Sequence, residues 1–114
     1  MPIGSEGEQQ TCLVYVTASD RDECIRLGRE AVEKRLAACA NVIAPTTAIF
    51  RWDDDVQEAE EATLILKTAR SLVPQLTAEL KEQHSYDLPC IVAVDIEGGL
   101  SAFTQWIAAE TALA

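Results

Sequence analysis

The order of strand and helix patterns in this sequence predicts an α+β fold with one antiparallel sheet. Three observations support it: two short strand-like apolar runs, two amphipathic stretches at helical spacing, and a long pair of alternating arms joined by a tight acidic turn. With a further helix at the end, the predicted order is β-α-β-β-α-β-α. That order is the ferredoxin-like, split βαβ arrangement, here with a β-hairpin long enough to protrude.

Length and composition limit the domain organisation and the partners. The chain has 114 residues, 48% of them apolar, which is enough for one core without disulfides or metals. We expect residues 1–10 to be a disordered N-terminal tail and residues 11–114 to form the single domain. The net charge is −10 and the nine Lys and Arg residues are scattered, so a nucleic-acid partner, which needs clustered basic residues, is not expected.

The first strand and helix are predicted from adjacent patterns. Thr11–Ala18 is rich in β-branched residues and short enough for a buried central strand. Ser19 or Asp20 then serves as a helix N-cap, with an acidic residue three positions later as a capping box requires. Apolar residues recur at helical spacing as far as Leu36, so the helix is expected to reach that residue.

The long hairpin is predicted from Leu36 to Thr68, with its turn at Trp52–Asp55. A continuous first arm would extend roughly 50 Å at about 3.3 Å per residue. A compact domain of this size has a radius of gyration of only about 13 Å, so the tip should overhang the core. The apolar positions with period two are Ala48, Phe50 and Trp52 on the first arm and Ala62, Leu64 and Leu66 on the second.

Pro45 predicts the environment of the first arm. Proline has no N–H to donate to a neighbouring strand, so we expect a bend or bulge there and an edge position in the sheet. An overhanging edge strand that carries Phe50 and Trp52 needs to be covered or paired. The sequence therefore predicts self-association.

The second half of the chain repeats the alternation of helix and strand. A helix is predicted from Ser71 to about His84, with Pro74 in its first turn, where proline is tolerated. Cys90–Ile96 is a short apolar run with the character of a central strand. A last helix is expected from Ser101 to the C-terminus. Its inward-facing residues are predicted to be Phe103, Trp106 and Ile107.

Common catalytic and metal motifs are missing from the sequence. It has one histidine and no glycine-rich phosphate loop, G-x-S-x-G or H-E-x-x-H motif, so a Ser-His-Asp or multi-histidine site within one chain is excluded. An acylphosphatase-like enzyme would need an early loop of backbone N–H groups with an arginine, but only Arg21 follows the first strand. Four widely separated cysteines, without zinc spacing, are expected to be buried free thiols. They are Cys12, Cys24, Cys39 and Cys90.

Five separated motifs carry a resemblance to a known family. They are residues 34–43 (KRLAACANVI), Arg51–Trp52, Glu61 with residues 64–68 (LILKT), residues 84–89 (HSYDLP), and Phe103 with Trp106. In this order and spacing they resemble the CutA family of divalent-cation tolerance proteins, over residues 12–109. The resemblance implies a ferredoxin-like fold, a homotrimer joined through long hairpins, and a role in tolerance of, or response to, copper and other divalent metal ions. It implies no established enzymatic reaction.

The resemblance also bears on copper binding. In copper-binding members the ligands are a cysteine near the end of strand one and two histidines before Pro-Tyr. The corresponding positions here hold Val16, Gln83 and His84, which leaves His84 as the candidate metal ligand. Because a single imidazole is a poor chelator, we expect no required cofactor and only weak binding of Cu(II). The family's hairpin-tip glycine is replaced by Asp54, which tolerates a left-handed backbone.

His84 and its neighbours support two interpretations. A histidine at a helix C-terminus is favoured by the helix dipole alone. Under the functional interpretation, it lines an inter-subunit cleft for a metal or a small anion. Lys67, a charge within an apolar strand, either pairs with an acid such as Glu61 or attracts an anion there. The cleft candidates are Cys39, Trp52, Glu61, Lys67 and Tyr86.

Two classes of function follow. The first is a non-enzymatic, trimeric divalent-ion tolerance protein, and the alternative is a signalling trimer resembling the PII proteins that binds a small ligand between subunits. PII-like signalling requires a long mobile loop with basic residues, whereas Asp53–Asp55 is short and acidic. The first ten residues lack the features of a signal peptide, and no apolar run approaches about 20 residues. We therefore predict a cytoplasmic protein that does not associate with membranes.

Overall fold

The computed structural model describes residues 10–111, which form a four-stranded antiparallel sheet with helices packed against it. This arrangement confirms the predicted α+β, ferredoxin-like fold. The predicted tail lies outside the described residues except for Gln10. In chain order the elements are β1 (Thr11–Ala18), α1 (Arg21–Glu33), β2 (Cys39–Trp52), β3 (Asp55–Ala69), a 3₁₀ turn (Arg70–Leu72), α2 (Val73–Gln83), β4 (Ile91–Asp95) and α3 (Ser101–Ala109).

The strand order in the sheet is β2-β3-β1-β4. The predictions that β1 is central and that the strand with Pro45 is an edge are therefore confirmed. The prediction of central character for Cys90–Ile96 is wrong, because β4 forms the opposite edge. Val92 and Val94 of β4 are 54% and 57% exposed, since nothing in the described chain covers them, and an uncovered apolar strand has the same composition as a buried one.

The core lies between one face of the sheet and helices α1 and α2. Close approach of α1 to the sheet depends on Gly28, since a Cβ atom there would lie 3.0 Å from both the Ala40 Cβ and the Leu64 Cδ1. This small residue lets the helix axis come near the strands, and the larger side chains fill the space beside it. They include Val14, Val16, Leu27, Leu36, Leu64, Leu66, Leu76 and Leu80.

Helix α1 begins as predicted and ends earlier. Asp20 is the N-cap, and its Oδ1 accepts a hydrogen bond from the Glu23 N–H at 2.9 Å. The helix stops at Glu33 rather than Leu36, because Arg35 adopts a left-handed backbone (φ 60°) and the Leu36 N–H turns back to the Ala31 carbonyl at 2.9 Å. The apolar spacing continues past this stop, and no glycine marks it.

The hairpin has the predicted tight turn. Trp52 pairs with Asp55, which leaves Asp53 and Asp54 as the two turn residues. Both have positive φ, 53° and 67°, as a type I′ turn requires. Replacement of the family's tip glycine by Asp54 is therefore compatible with the turn, as predicted.

The first arm of the hairpin has a bulge at the predicted place. The register of β2 and β3 shifts between Ile43 and Thr46, which brackets Pro45. Beyond this point the two strands continue away from the core. The described chain extends 51 × 25 × 21 Å with a radius of gyration of 15.3 Å, so the predicted overhang is confirmed.

The last two helices lie where the sequence predicts them, but two of the three residues of α3 that were expected to face inward are partly exposed. Helix α2 has Pro74 in its first turn and His84 as its C-cap, as expected. In α3, Ile107 is fully buried, but Phe103 and Trp106 are 42% and 40% exposed, so their predicted inward orientation is wrong. They pack on each other instead, with ring centroids 5.4 Å apart. Helix α3 ends at Ala109, and residues 112–114 lie outside the described part.

The cysteines differ in burial. Cys12 and Cys24 are buried, Cys39 is partly buried, and Cys90 is exposed beside the sheet edge, so the prediction of a buried thiol is wrong for Cys90. Burial raises the pKa of Cys12 and of Cys24 to about 11. These two thiols are protonated at neutral pH and are poor nucleophiles.

Candidate functional site

The candidate site is built around residues 84–86, which follow α2 and lead toward β4. We call this segment the 84–86 loop. It contacts the end of β1, the start of α1 and the middle of β3 through hydrogen bonds from three successive residues. The loop therefore joins elements that are distant in the sequence.

The His84 side chain is completely buried, and both of its nitrogens have partners. Its Nε2 lies 2.8 Å from the Thr17 carbonyl oxygen, and the Tyr86 N–H donates to its Nδ1 at 3.0 Å. A carbonyl can only accept and a backbone N–H can only donate, so the proton of the imidazole is on Nε2. His84 is thus a neutral imidazole with its donor and its acceptor both used.

Glu23 is a buried carboxylate that ties the start of α1 to the 84–86 loop. Its oxygens accept hydrogen bonds from the Ser19 N–H (3.1 Å) and hydroxyl (2.8 Å) and from the Ser85 N–H (2.8 Å) and hydroxyl (2.9 Å). Burial alone would raise the pKa of Glu23, but these bonds from Ser85 and Ser19 outweigh it and lower the pKa to about 2. Glu23 is therefore charged at neutral pH.

Sequence reasoning missed Glu23 as a member of the site. The capping-box spacing indicated a local role next to Ser19, and that role is present. The contact with Ser85 spans 62 residues, and no local pattern in the sequence connects the two positions. Only the fold brings them together.

Tyr86 and Glu61, two of the predicted cleft residues, meet within one chain. The Tyr86 hydroxyl donates to the Glu61 Oε2 at 2.7 Å, and the Tyr86 ring lies 4.9 Å from the His84 ring between centroids. Burial, the hydrogen bond to Glu61 and the Glu61 charge raise the pKa of Tyr86 far above its ordinary value. The hydroxyl therefore keeps its proton and acts as a donor.

The remaining cleft candidates lie elsewhere in the chain. Cys39 and Lys67 face each other across β2 and β3, and the Lys67 ammonium donates to the Asn41 amide oxygen. Lys67 lies six positions after Glu61 on β3, roughly 20 Å along the strand, so the two do not pair within one chain. Trp52 is at the hairpin tip and 51% exposed. Within one chain the candidates thus occupy three separate places.

The positions that the resemblance links to copper do not form a metal centre within one chain. Val16 is fully buried and has no donor atom. Both nitrogens of His84 are already hydrogen-bonded. Among the described residues 10–111, no three His, Cys, Asp or Glu side chains are grouped so that they could hold a metal ion. Weak copper binding through His84 stays a prediction.

Within residues 10–111, the face of the sheet opposite α1 and α2 is open and largely apolar, although it also carries Lys67 and Asn41. Strand pairing aligns Tyr15 with Val92 and with Ile65, so side chains from three strands share this face. We call it the open face. Exposed apolar patches of this kind mark interaction sites. Its most exposed apolar members are Tyr15 (39%), Ile43 (52%), Val92 (54%) and Val94 (57%).

These features define a ferredoxin-like domain with a protruding hairpin, a closed 84–86 loop and an open sheet face. Comparison with known proteins places the domain in a family, since residues 12–110 match the family model described as CutA1 divalent ion tolerance protein. The chain belongs to that family, as its motifs indicate.

Individual relatives agree with this assignment. The chain is 38% identical over 94 residues to the divalent-cation tolerance protein CutA of Archaeoglobus fulgidus, covering 82% of this chain and 91% of that protein. It is 35% identical over 95 residues to the chloroplastic protein CutA of Arabidopsis thaliana, covering 83% of this chain but only 52% of that longer protein. The crystal structure of CutA1 from Oryza sativa matches with a TM-score of 0.90 at 32% identity, covering 94% of this chain and 98% of that one.

Proposed function

We propose that this protein acts without enzymatic activity in the tolerance of divalent metal ions, copper in particular, as a homotrimer. Membership of the CutA1 family supports the link to divalent ions. The observation that carries the assembly is the open face together with the hairpin that extends past the core. Neither feature is explained by the contacts of the described chain alone.

The resemblance to the CutA family implies three copies, and the shape of the chain supports a closed ring. A face-to-face dimer would cover the open face but leave both the edge of β4 and the overhanging tip exposed. A closed ring of three can place each hairpin, with Phe50 (38% exposed) and Trp52 at its end, against the next copy. Light scattering coupled to gel filtration at low micromolar concentration should therefore show three chains. A monodisperse monomer would contradict the proposal.

Copper binding is a second part of the proposal. The chain has a single imidazole, that of His84, so Cu(II) should bind weakly, Zn(II) more weakly still, and Mg(II) scarcely at all. Calorimetric titration at pH 7 in a non-chelating buffer would compare the wild type with His84→Ala and Cys39→Ser. Loss of the weak Cu(II) signal in His84→Ala would identify His84 as the ligand, and a weak signal that persists would place the ligands elsewhere. Strong binding that persists in His84→Ala would move the site elsewhere, and no binding by the wild type would remove direct copper binding from the proposal.

The cellular role can be tested separately from binding. A bacterial strain that lacks its own member of this family should grow at higher Cu(II) concentrations when this chain is expressed than with an empty vector. Equal growth at every concentration would contradict a role in copper tolerance. The PII-like alternative is less favoured, because the two-residue acidic turn at Asp53 and Asp54 offers no basic mobile loop for nucleotide phosphates.

Location in the cytoplasm is also proposed. Among the described residues 10–111, no helix combines the length and the hydropathy needed to cross a membrane. Relatives are named for different compartments: the A. thaliana protein is called chloroplastic, and the A. fulgidus structure is described as periplasmic. Fractionation of the native host with an antibody to this chain would test the proposal, and recovery in an envelope or organelle fraction would contradict it.

A further inference from the structure

We infer that His84 is a positioning residue that holds the 84–86 loop closed, and that it is not an available ligand for a divalent cation. The inference concerns the same loop as the proposed function and changes its copper part, since it assigns any weak binding of Cu(II) to donors other than His84; it does not depend on trimer formation. It rests on the partners of both imidazole nitrogens and on the residues that the loop presents.

Neither imidazole nitrogen of His84 has a lone pair free for a metal ion. A metal ion needs an unprotonated ring nitrogen, and Nε2 carries a proton that it donates to the Thr17 carbonyl. Nδ1 is unprotonated, but its lone pair accepts the Tyr86 N–H. Coordination at either nitrogen would leave a buried backbone group without a partner, which lowers apparent affinity by roughly ten- to hundredfold.

The imidazole ring of His84 is closed off from solvent. None of the His84 side chain is exposed, and the Tyr86 ring packs beside it. The nearest carboxylate, Glu23, lies 3.7 Å from Nδ1 but already accepts four hydrogen bonds from Ser19 and Ser85. A cation would therefore find neither an open approach nor a free second ligand at this position.

His84 positions the two residues that follow it, Ser85 and Tyr86. Three successive residues each bind a different element: His84 binds β1, Ser85 binds Glu23 of α1, and Tyr86 binds Glu61 of β3. The bond from the Tyr86 N–H to Nδ1 turns the backbone so that the Ser85 N–H faces Glu23 and the Tyr86 ring reaches Glu61. His84 thus acts through its neighbours and fixes where the chain leaves toward β4.

The tautomer gives a direct test that needs no variant. Nitrogen-15 NMR of the imidazole in the wild type at pH 7 should show a protonated Nε2 and an unprotonated, hydrogen-bonded Nδ1. A proton on Nδ1 instead, or rapid averaging of the two tautomers, would overturn the inference.

Two conservative variants separate positioning from simple packing. In His84→Gln the side-chain amide can still donate to the Thr17 carbonyl, but the acceptor for the Tyr86 N–H is lost. In His84→Asn the amide oxygen can replace that acceptor, but the donor to Thr17 is lost. Hydrogen exchange of the Tyr86 amide should accelerate roughly three- to tenfold in His84→Gln and stay near the wild-type rate in His84→Asn. Equal acceleration in both variants would indicate packing alone and would contradict the inference.

Zinc sulfate tests the ligand part. Zn(II) is diamagnetic, so one equivalent per chain can be added while the His84 nitrogens are observed by NMR. Unchanged His84 signals support the inference, whether or not zinc binds at another place. A shift of either His84 nitrogen at one equivalent would overturn it, while leaving the trimer and the growth phenotype to be judged by their own experiments.

Discussion

Glu23 shows how a buried carboxylate can stabilise a fold. Its four hydrogen bonds come from Ser19 and Ser85, so the negative charge is compensated on both sides. These bonds lower the pKa from 4.5 to about 2, against the opposing effect of burial. A carboxyl whose pKa is lowered on folding contributes stability above its unfolded pKa and loses it as the pH falls.

The pH dependence can be predicted from this shift. The contribution of Glu23, up to roughly 3 kcal/mol per chain, should be complete above about pH 5 and should decline as the pH falls from about 4.5 toward 2. Urea unfolding at several pH values would compare the wild type with Glu23→Gln, which cannot titrate. The difference in unfolding free energy between the two should be largest at pH 7 and should shrink below pH 4.5. A difference that stays constant from pH 5 to pH 3 would show that Glu23 does not titrate in this way.

Replacement of Asp54 by glycine should raise the free energy of unfolding, whereas loss of the Glu23 charge should lower it. The Asp54 φ of 67° lies in the left-handed region, which costs free energy for a residue with a Cβ, although less for Asp than for most others. Asp54→Gly should therefore raise the unfolding free energy by about 0.5–1 kcal/mol. Asp55→Gly is the matched control, since Asp55 is a strand residue and glycine there should lower stability. Thermal melting of the two variants would check this, and a lower midpoint for Asp54→Gly would contradict it.

At the scale of elements, the packing of α1 on the sheet depends on Gly28. A Cβ atom there would be only 3.0 Å from atoms of Ala40 and Leu64, and both neighbours are held by the sheet. Gly28→Val should therefore lower stability by about 2 kcal/mol through overpacking. Arg29→Val, one residue along on the exposed side of the helix, should change it by less than about 0.5 kcal/mol. A Gly28→Val variant as stable as Arg29→Val in chemical denaturation would show that the close contacts at Gly28 do not limit stability.

Elements that are marked by local sequence signals are predicted more accurately than elements whose position depends on the rest of the fold. The alternating arms, the acidic turn and Pro45 are local signals, and the hairpin, its turn and its bulge all agree with them. The short run at Cys90–Ile96 is apolar except for Asp95, so it shows no alternation of polar and apolar faces and does not reveal that β4 lies at an edge. The sequence predicts that α1 reaches Leu36, but the helix ends at Glu33. The reason is that Arg35 takes a left-handed backbone conformation that a glycine would normally signal.

The candidate site was predictable to a smaller extent. Tyr86, Glu61 and His84 were all identified as candidates, and the structure places them together. The partner of Glu23 could not be found, because the contact between Glu23 and Ser85 depends on how α1 and the end of α2 pack. The sequence marks Lys67 as a charge within an apolar strand. Its partner, the uncharged Asn41, lies on the other arm of the hairpin and could not be found from local spacing.

At the scale of the whole molecule, the open face predicts how assembly can be disrupted. Val92 is 54% exposed on this face, and a lysine there would place a charge in the proposed interface. Val92→Lys should shift the proposed trimer toward monomer. Ala78→Lys, on the exposed side of α2, should leave the trimer unchanged. Sedimentation at several concentrations would distinguish the two variants, and an intact Val92→Lys trimer would show that the open face is not the interface.

The bulge at Pro45 has a consequence for the far end of the hairpin. Ile43 is opposite Thr63, but Thr46 is opposite Glu61, so three steps along one strand match two steps along the other. Odd-numbered side chains before the bulge and even-numbered ones after it therefore point to the same side. Loss of the one extra residue at the bulge would restore simple alternation and leave Phe50 and Trp52 on the same side as Ile43. Because side chains alternate, the hairpin can lengthen or shorten between the bulge and the tip only by two residues at a time on each arm if Phe50 and Trp52 are to face the same side.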